Sequence, residues 1–123
     1  MNVISTSNAP KAIGPYSQAI VVNDMIFTSG QIALRPDGSF VDGDVEAQAK
    51  QVLENLQAVL EAAESSLQKV VKTTIFLANM DDFAAVNTIY GTFFGEHKPA
   101  RSTVGVKTLP KNALVEIEAI AIK

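Results

Sequence analysis

The chain has 123 residues, of which 47% are hydrophobic and 19% charged, and its formal net charge is -3. It contains no cysteine and one histidine, which excludes a thiol nucleophile, a disulfide framework and a zinc site made of several nitrogen and sulfur ligands. Length and composition predict a single domain over residues 1–123, with a hydrophobic core of its own.

The distribution of charge and apolar residues bears on location and partners. The N-terminus lacks the basic region and apolar run of a secretory signal, and no segment approaches the roughly 18 apolar residues of a membrane span. Basic residues are scattered, and the densest stretch, residues 98–101, holds only two of them. We therefore expect a soluble, cytoplasmic protein that binds neither membrane nor nucleic acid.

The first third of the chain predicts strands after an extended start through Pro10 and Pro15. Short runs rich in β-branched and aromatic residues cover residues 17–22, 25–29, 32–34 and, more briefly, 39–41. Asn23-Asp24 separates the first two runs as a hairpin turn, and Arg35-Pro36-Asp37-Gly38 is a strong turn signal before the last.

From Asp44 onward the apolar residues recur at steps of three and four, which predicts a helix with Asp44 as its N-cap. The apolar stripe consists of Val45, Ala49, Val52, Leu53, Leu56, Val59, Leu60 and Ala63. A second helix is expected to begin at Asp81-Asp82 and to end before Pro99. Its apolar face consists of Phe83, Val86, Tyr90, Phe93 and Phe94.

Three further strands are predicted over residues 70–77, 102–106 and 114–122. The order βββαβαββ, with each helix apolar on one face, indicates an α+β fold in which two helices cover one side of a sheet. In the last strand Val115, Ile117, Ala119 and Ala121 alternate with Glu116 and Glu118. Because no element remains to cover the other side of the sheet, we expect an oligomer.

Two charged positions are candidates for chemistry. Arg101, near the start of a predicted strand, carries a planar guanidinium that can bind a carboxylate through two hydrogen bonds. Glu116 lies in a run apolar enough to be a central strand, where burial would raise the carboxyl pKa and suit it to proton transfer. The structural alternatives are a surface or interface salt bridge for Arg101, and a solvated face or a basic partner for Glu116.

Other polar residues carry weaker signals. Tyr16, Ser29 and Gly30 lie at predicted loops or strand ends, and Asn87 on the second helix is either a ligand contact or an exposed polar residue. The spacing supports no Ser/His/Asp triad, and His97 is typical of a residue that interacts with a helix C-terminus. Neither a P-loop nor a dinucleotide-binding fingerprint is present.

Several short motifs are spread over nearly the whole chain. They are Asn8-Ala9-Pro10, AIGPYSQ at residues 12–18, Ser29-Gly30-Gln31-Ile32, Val86-Asn87 with Tyr90, Pro99-Ala100-Arg101-Ser102, Leu109-Pro110, and VEIEAIA at residues 115–121. Together they resemble the RidA family, also called the YjgF/YER057c family, of enamine and imine deaminases. The last three motifs are the most specific, because they match in both residues and spacing.

The resemblance implies a chorismate-mutase-like fold with a mixed sheet, a homotrimer with clefts between subunits, and hydrolysis that uses no cofactor and no metal. The implied substrates are 2-iminopropanoate and 2-iminobutanoate with their enamine tautomers, 2-aminoacrylate and 2-aminocrotonate. By the same resemblance Arg101 holds the substrate carboxylate and Glu116 works with a bound water. The remaining implied substrate contacts are Tyr16, Ser29, Gly30, Asn87 and Thr103.

The chain departs from the common family pattern at three places. Glu64-Ser65 replaces a glycine often found at the end of the first helix, which bears on the helix cap and not on the chemistry. Thr103 stands where many members have cysteine, which removes thiol-based regulation, and Gly105 stands where many have glutamate. The alternative function is a trimer that binds small carboxylates without turnover or acts as a regulator. Glu116 favours the enzyme, because a second negative group would not help a protein that only binds carboxylates. RNA cleavage, attributed to some members, is disfavoured by the acidic charge.

Overall fold

A computed structural model describes residues 1–123 as one six-stranded sheet with two helices against one of its faces. The strands are β1 Asn2–Ile4, β2 Ala19–Val22, β3 Met25–Thr28, β4 Val70–Leu77, β5 Ala100–Gly105 and β6 Val115–Ile122, and the helices are α1 Val45–Ala62 and α2 Phe83–Phe94. The sheet order is β1-β2-β3-β6-β4-β5, in which only β4 and β5 are parallel. The predicted α+β class and mixed sheet are confirmed.

Local signals fix the helix ends. Asp44 accepts a hydrogen bond from the Ala47 backbone N–H at 2.8 Å, which confirms it as the N-cap of α1. A short 3-10 turn, Met80–Asp82, precedes α2, and the helix ends at Gly95, whose φ of 61° favours glycine. Neither helix combines the length and apolar character that crossing a membrane requires.

The N-terminal third differs from the sequence prediction in its strands after the hairpin. The hairpin of β2 and β3 is confirmed, with Val22 opposite Met25. The strands predicted over residues 32–34 and 39–41 are wrong, because these two segments make only an isolated bridge, between Leu34 and Phe40. The third strand is instead β1, within the segment that was expected to be merely extended. Since β2 and β6 occupy both edges of β3, only β2 offers a free edge nearby, and β1 takes it.

The two faces of the sheet differ in their cover. On the helix side of β6 the side chains of Val115, Ile117, Ala119 and Ala121 are at most 3% exposed. The opposite face carries Glu116 and Glu118 beside apolar side chains that remain exposed, with Phe27 at 42% and Ile122 at 43%. The alternation predicted for the last strand is confirmed, and one face of the sheet is left without a partner in the chain.

Two buried amide side chains on α1 form hydrogen bonds with backbone groups of segments that are not part of the sheet. Asn55, 1% exposed, donates to the carbonyls of Ile32 at 3.2 Å and Leu34 at 2.8 Å. Gln48 is also buried and accepts from the Leu114 backbone N–H at 2.9 Å, just before β6. These amides supply the hydrogen bonds that a neighbouring strand would otherwise provide.

Replacing Asn55 by alanine is expected to lower the free energy of unfolding by about 2–4 kcal/mol, because two buried carbonyls lose their donor and a small cavity remains. Urea denaturation measures the change. Glu54→Ala, at the exposed neighbouring position of the same helix, is the control and should change the free energy of unfolding by less than about 0.5 kcal/mol. Equal effects of the two substitutions would contradict the anchoring role of Asn55.

Candidate active site

A cleft of about 380 Å³ lies at the end of the sheet where β6 begins, and Glu116 is part of its lining. Tyr16, Ser29 and Gly30 line the same cleft. The structure therefore brings three of the predicted substrate contacts together with the predicted catalytic carboxyl. We call this space the Glu116 cleft.

The Glu116 side chain extends over Gly30. Gln31 forms an antiparallel bridge with Ile117 through backbone hydrogen bonds of 2.9 and 3.1 Å, which brings the segment that contains Gly30 beside β6. A Cβ added to Gly30 would come within 2.8 Å of the Glu116 Cδ and nearer still to a carboxyl oxygen. Glycine is required here for the space it leaves to the carboxyl group.

Ser29 and Tyr16 present different groups to the Glu116 cleft. The Ser29 hydroxyl donates to the Ser17 carbonyl at 2.5 Å, and the Ser29 N–H donates to the Gln18 carbonyl at 2.9 Å. The hydroxyl proton of Ser29 is thus used within the fold, and its oxygen is left to act as an acceptor. Tyr16 is 54% exposed, which leaves its hydroxyl accessible at the rim.

Gln18 is a member of this cleft that sequence analysis missed. Its amide nitrogen donates to the carbonyls of Thr6 at 3.1 Å and Pro10 at 2.8 Å, and its amide oxygen accepts from the Thr6 N–H at 2.7 Å. The side chain is only 3% exposed. These three hydrogen bonds fix the N-terminal segment that forms one wall of the cleft. The sequence does place a glutamine next to a predicted buried strand. A buried amide there needs hydrogen-bond partners, which could have indicated a structural role.

The surroundings of Glu116 favour its protonated form. Burial raises the pKa of the Glu116 carboxyl above its usual value, and the charge of nearby Glu118 raises it further. A carboxyl in this state accepts and releases a proton closer to neutral pH than an exposed glutamate does. The predicted effect of burial on Glu116 is therefore present in the structure.

Arg101 lies in a second cleft, of about 450 Å³, between α2 and the start of β5. Its Nη1 donates to Asn87 Oδ1 at 2.6 Å. The guanidinium carbon lies 5.0 Å from the ring centroid of Tyr90 and 5.5 Å from that of Phe83. None of these three partners carries a negative charge, so the remaining N–H donors of Arg101 suit an incoming carboxylate. We call this space the Arg101 cleft.

Thr103 lies on the same side of β5 as Arg101, two residues along the strand. Its Oγ1 is buried and has no hydrogen-bond partner in the chain. A buried hydroxyl without a partner is costly, so this position lowers the stability of the chain.

Arg101 and Glu116 lie on opposite faces of the sheet. Arg101 is opposite Thr73 on β4, and Glu116 is opposite Phe76 on the same strand. Because residues 73 and 76 are separated by an odd number of positions, their side chains project to opposite sides. A single chain therefore assembles each cleft but does not join the two.

The His97 ring lies near Phe94 at the end of α2, with 6.4 Å between ring centroids, but its hydrogen bond goes elsewhere. Its Nε2 instead lies 2.7 Å from the Val70 carbonyl oxygen and ties the segment after α2 to β4. Nowhere in the chain do three or more His, Asp or Glu side chains gather closely enough to hold a metal ion.

The structure is that of a small α+β protein with an arginine in one cleft and a half-buried glutamate in another. Over residues 6–123 the chain matches the family described as Endoribonuclease L-PSP. It therefore belongs to that family, the YjgF/RidA family, which confirms the resemblance seen in its motifs.

Its relatives support this membership along the full length. The chain is 55% identical to the RutC family protein PH0854 of Pyrococcus horikoshii, over 98% of this chain and 97% of that protein. It is 50% identical to the 2-iminobutanoate/2-iminopropanoate deaminase of Escherichia coli K12, over 98% and 96%. Among solved structures, E. coli TdcF with bound serine is similar with a TM-score of 0.95 and 44% identity, over 100% of this chain and 99% of that one.

Gly30→Ala is expected to leave the fold intact and to push the Glu116 carboxyl outward, because the new methyl group meets the flexible end of a side chain. The pKa of Glu116 should then fall toward its ordinary value, which a carboxyl carbon NMR titration measures. Gly91→Ala is the matched control, since nothing lies within 4 Å of a Cβ added there. An unchanged Glu116 titration in Gly30→Ala would contradict the close approach described above.

Proposed function

We propose that this protein hydrolyses 2-imino acids to 2-keto acids and ammonia, in sites formed between the subunits of a homotrimer. The observation that carries the proposal is that Arg101 and Glu116 lie in two separate clefts on opposite sheet faces. In a closed ring, the Arg101 cleft of one subunit can face the Glu116 cleft of the next. The exposed apolar side chains beside Glu116 would be buried by such an assembly.

The substrates we propose are 2-iminopropanoate and 2-iminobutanoate, together with their enamine tautomers 2-aminoacrylate and 2-aminocrotonate. The E. coli relative whose name gives this activity supports the choice at 50% identity. Serine bound to TdcF supports a ligand that carries a carboxylate next to a nitrogen-bearing carbon.

The reaction needs orientation and proton transfer. Arg101 binds the substrate carboxylate through two of its N–H donors, and Asn87 holds the guanidinium in place. The oxygen of a water then adds to C2 of the protonated imine, which is already electrophilic, while Glu116 takes a proton from that water. Glu116 returns the proton to the nitrogen, the C–N bond breaks, and the hydroxyl proton leaves with ammonia as ammonium. A 2-keto acid remains, and Glu116 is again ionised.

The other predicted contacts have defined parts in this proposal. Tyr16 offers an exposed hydroxyl, Ser29 an acceptor oxygen, and Gly30 the space beside the carboxyl. Thr103, two residues along β5 from Arg101, would contact the substrate through its backbone. No step of the reaction calls for a metal or an organic cofactor.

Two other functions are distinguishable from this one. A trimer that binds small carboxylates without turnover would also use Arg101, but the raised pKa of Glu116 would have no purpose in it. The family description names an endoribonuclease. The net charge of -3 and the carboxyl group in the Glu116 cleft oppose binding of a phosphate backbone.

The activity is tested by generating 2-aminoacrylate from serine with a pyridoxal-phosphate-dependent dehydratase and following imine loss with and without this protein. Faster imine loss, with equal amounts of pyruvate and ammonia formed, supports the proposal. An unchanged rate, combined with Arg101-dependent binding of 2-oxobutanoate, supports the non-catalytic binder instead.

Glu116→Gln is expected to keep the affinity for 2-oxobutanoate and to slow hydrolysis by about 10²- to 10⁴-fold, because the nearly isosteric amide cannot accept a proton. In the unmodified protein kcat/KM should fall as pH drops through the raised pKa of Glu116, since the basic form is then lost; the variant should lack this fall. If affinity collapses together with the rate, Glu116 holds the cleft together and is not the catalytic group.

Arg101→Lys is expected to lose most of the activity while the protein stays folded and assembled. Lysine keeps the positive charge but cannot present two parallel N–H donors to a carboxylate. Steady-state kinetics should show the loss, and circular dichroism should be unchanged. Turnover near that of the unmodified protein would reduce Arg101 to a structural residue.

The assembly is tested first by light scattering, which should give a mass three times that of the 13.1 kDa chain. Arg101→Lys and Glu116→Gln subunits are then unfolded together and refolded as a mixture. Sites between subunits predict recovery of about one quarter of the unmodified activity, because each mixed trimer contains one site with both native residues. Sites within one subunit predict no recovery, and a fully active monomer would defeat the assembly outright.

A further inference from the structure

Arg101 is held by a single face of α2. Phe83, Asn87 and Tyr90 are spaced by four and three residues, so they follow one another along one side of the helix. Asn87 contributes one hydrogen bond, and the two aromatic rings approach the guanidinium at 5.0 and 5.5 Å. Both distances lie within the range at which a ring attracts a cation.

Tyr90 is itself fixed from two directions. Its hydroxyl is 2.7 Å from Thr73 Oγ1, with both residues buried, and its ring stacks on Phe94 at 4.4 Å between centroids. Thr73 is the residue of β4 that lies opposite Arg101 in the parallel pair. The hydroxyl bond therefore ties Tyr90 to the strand beside Arg101, and the ring has little freedom to move away.

The neutral partners of Arg101 hold the guanidinium without neutralising its charge. A carboxylate beside the guanidinium would hold it well but would neutralise its charge and occupy the donors needed for a ligand. A ring attracts the cation through its face and uses none of the N–H donors. Burial also raises the pKa of the Tyr90 hydroxyl, so the ring stays neutral at physiological pH.

We propose that Tyr90 and Phe83 are positioning residues, whose rings hold the Arg101 guanidinium in its carboxylate-binding orientation while leaving its charge and its free N–H donors available. This inference rests on the role of Arg101 in the proposed function, and it assigns to two core-facing aromatic residues an effect on ligand affinity. Asn87 fixes one edge of the guanidinium, and the rings fix its plane.

The test compares variants of α2 by calorimetric titration with 2-oxobutanoate, which binds without turning over. Tyr90→Leu and Phe83→Leu should each weaken binding by about threefold to thirtyfold, the range that a cation–π contact supplies. In kinetics with 2-aminoacrylate, KM should rise by a similar factor and kcat should change less. Phe93→Leu is the matched control on the same helix, since Phe93 does not contact Arg101, and its dissociation constant should stay within about twofold.

Tyr90→Phe separates positioning from packing. It keeps the ring, which stacking on Phe94 still holds beside Arg101, but leaves the buried Thr73 hydroxyl without its partner. The melting temperature should therefore fall while affinity stays within about twofold of the unmodified protein. Affinity lost equally in Tyr90→Phe and Tyr90→Leu, or retained in Tyr90→Leu, would overturn the inference.

The same titrations distinguish this inference from the proposed function. If the unmodified protein binds 2-oxobutanoate through Arg101 but does not hydrolyse imines, the function fails and the positioning role is still decided by the variants. If the unmodified protein does not bind 2-oxobutanoate, or if the Arg101→Lys variant binds it with the same affinity, both the role of Arg101 and the positioning role of the two rings are overturned.

Discussion

The two-residue alternation of side chains along β4, β5 and β6 governs both the core and the candidate site. The register that buries Ile117 beneath the helices turns Glu116 to the uncovered face, and the parallel register of β5 on β4 turns Arg101 toward α2. A slip of one residue in β6 would turn Glu116 beneath the helices and bring Ile117 to the uncovered face. The core would then lose its pattern together with the site, so one constraint maintains both.

The candidate site also contains charged groups that have no oppositely charged partner within the chain. Glu116 is half-buried beside a second carboxylate, and Arg101 has neutral partners only. Each arrangement costs stability in the single chain. Asn55 and Gln18 differ from these two residues, because their buried amide groups have hydrogen-bond partners in the backbone segments that form the walls of the Glu116 cleft.

Periodicity predicted both helices, the central hairpin and the three later strands, because each of those segments carries a clear apolar face. It failed for β1, whose three residues pair through their backbone with a free strand edge that only the folded sheet reveals. The site residues were found as chemical types and motifs. Their division between two faces depends on the register of β5 against β4, and the roles of Tyr90 and Gln18 depend on contacts between distant segments, which no local pattern specifies.

Thr103 and Gly105 depart from the common family pattern and lie at different points of β5, so they have separate consequences. At Gly105 an added Cβ would approach the Met80 Cγ at 2.9 Å, so the methionine side chain fills the space in which a larger residue would begin. That packing is local and lies at the opposite end of the strand from Arg101. Thr103 is closer to the site, and its unpartnered hydroxyl can form a stronger hydrogen bond than a thiol could. Because that hydroxyl is buried without a partner, threonine carries a desolvation cost at this position that the less polar thiol of cysteine would largely avoid.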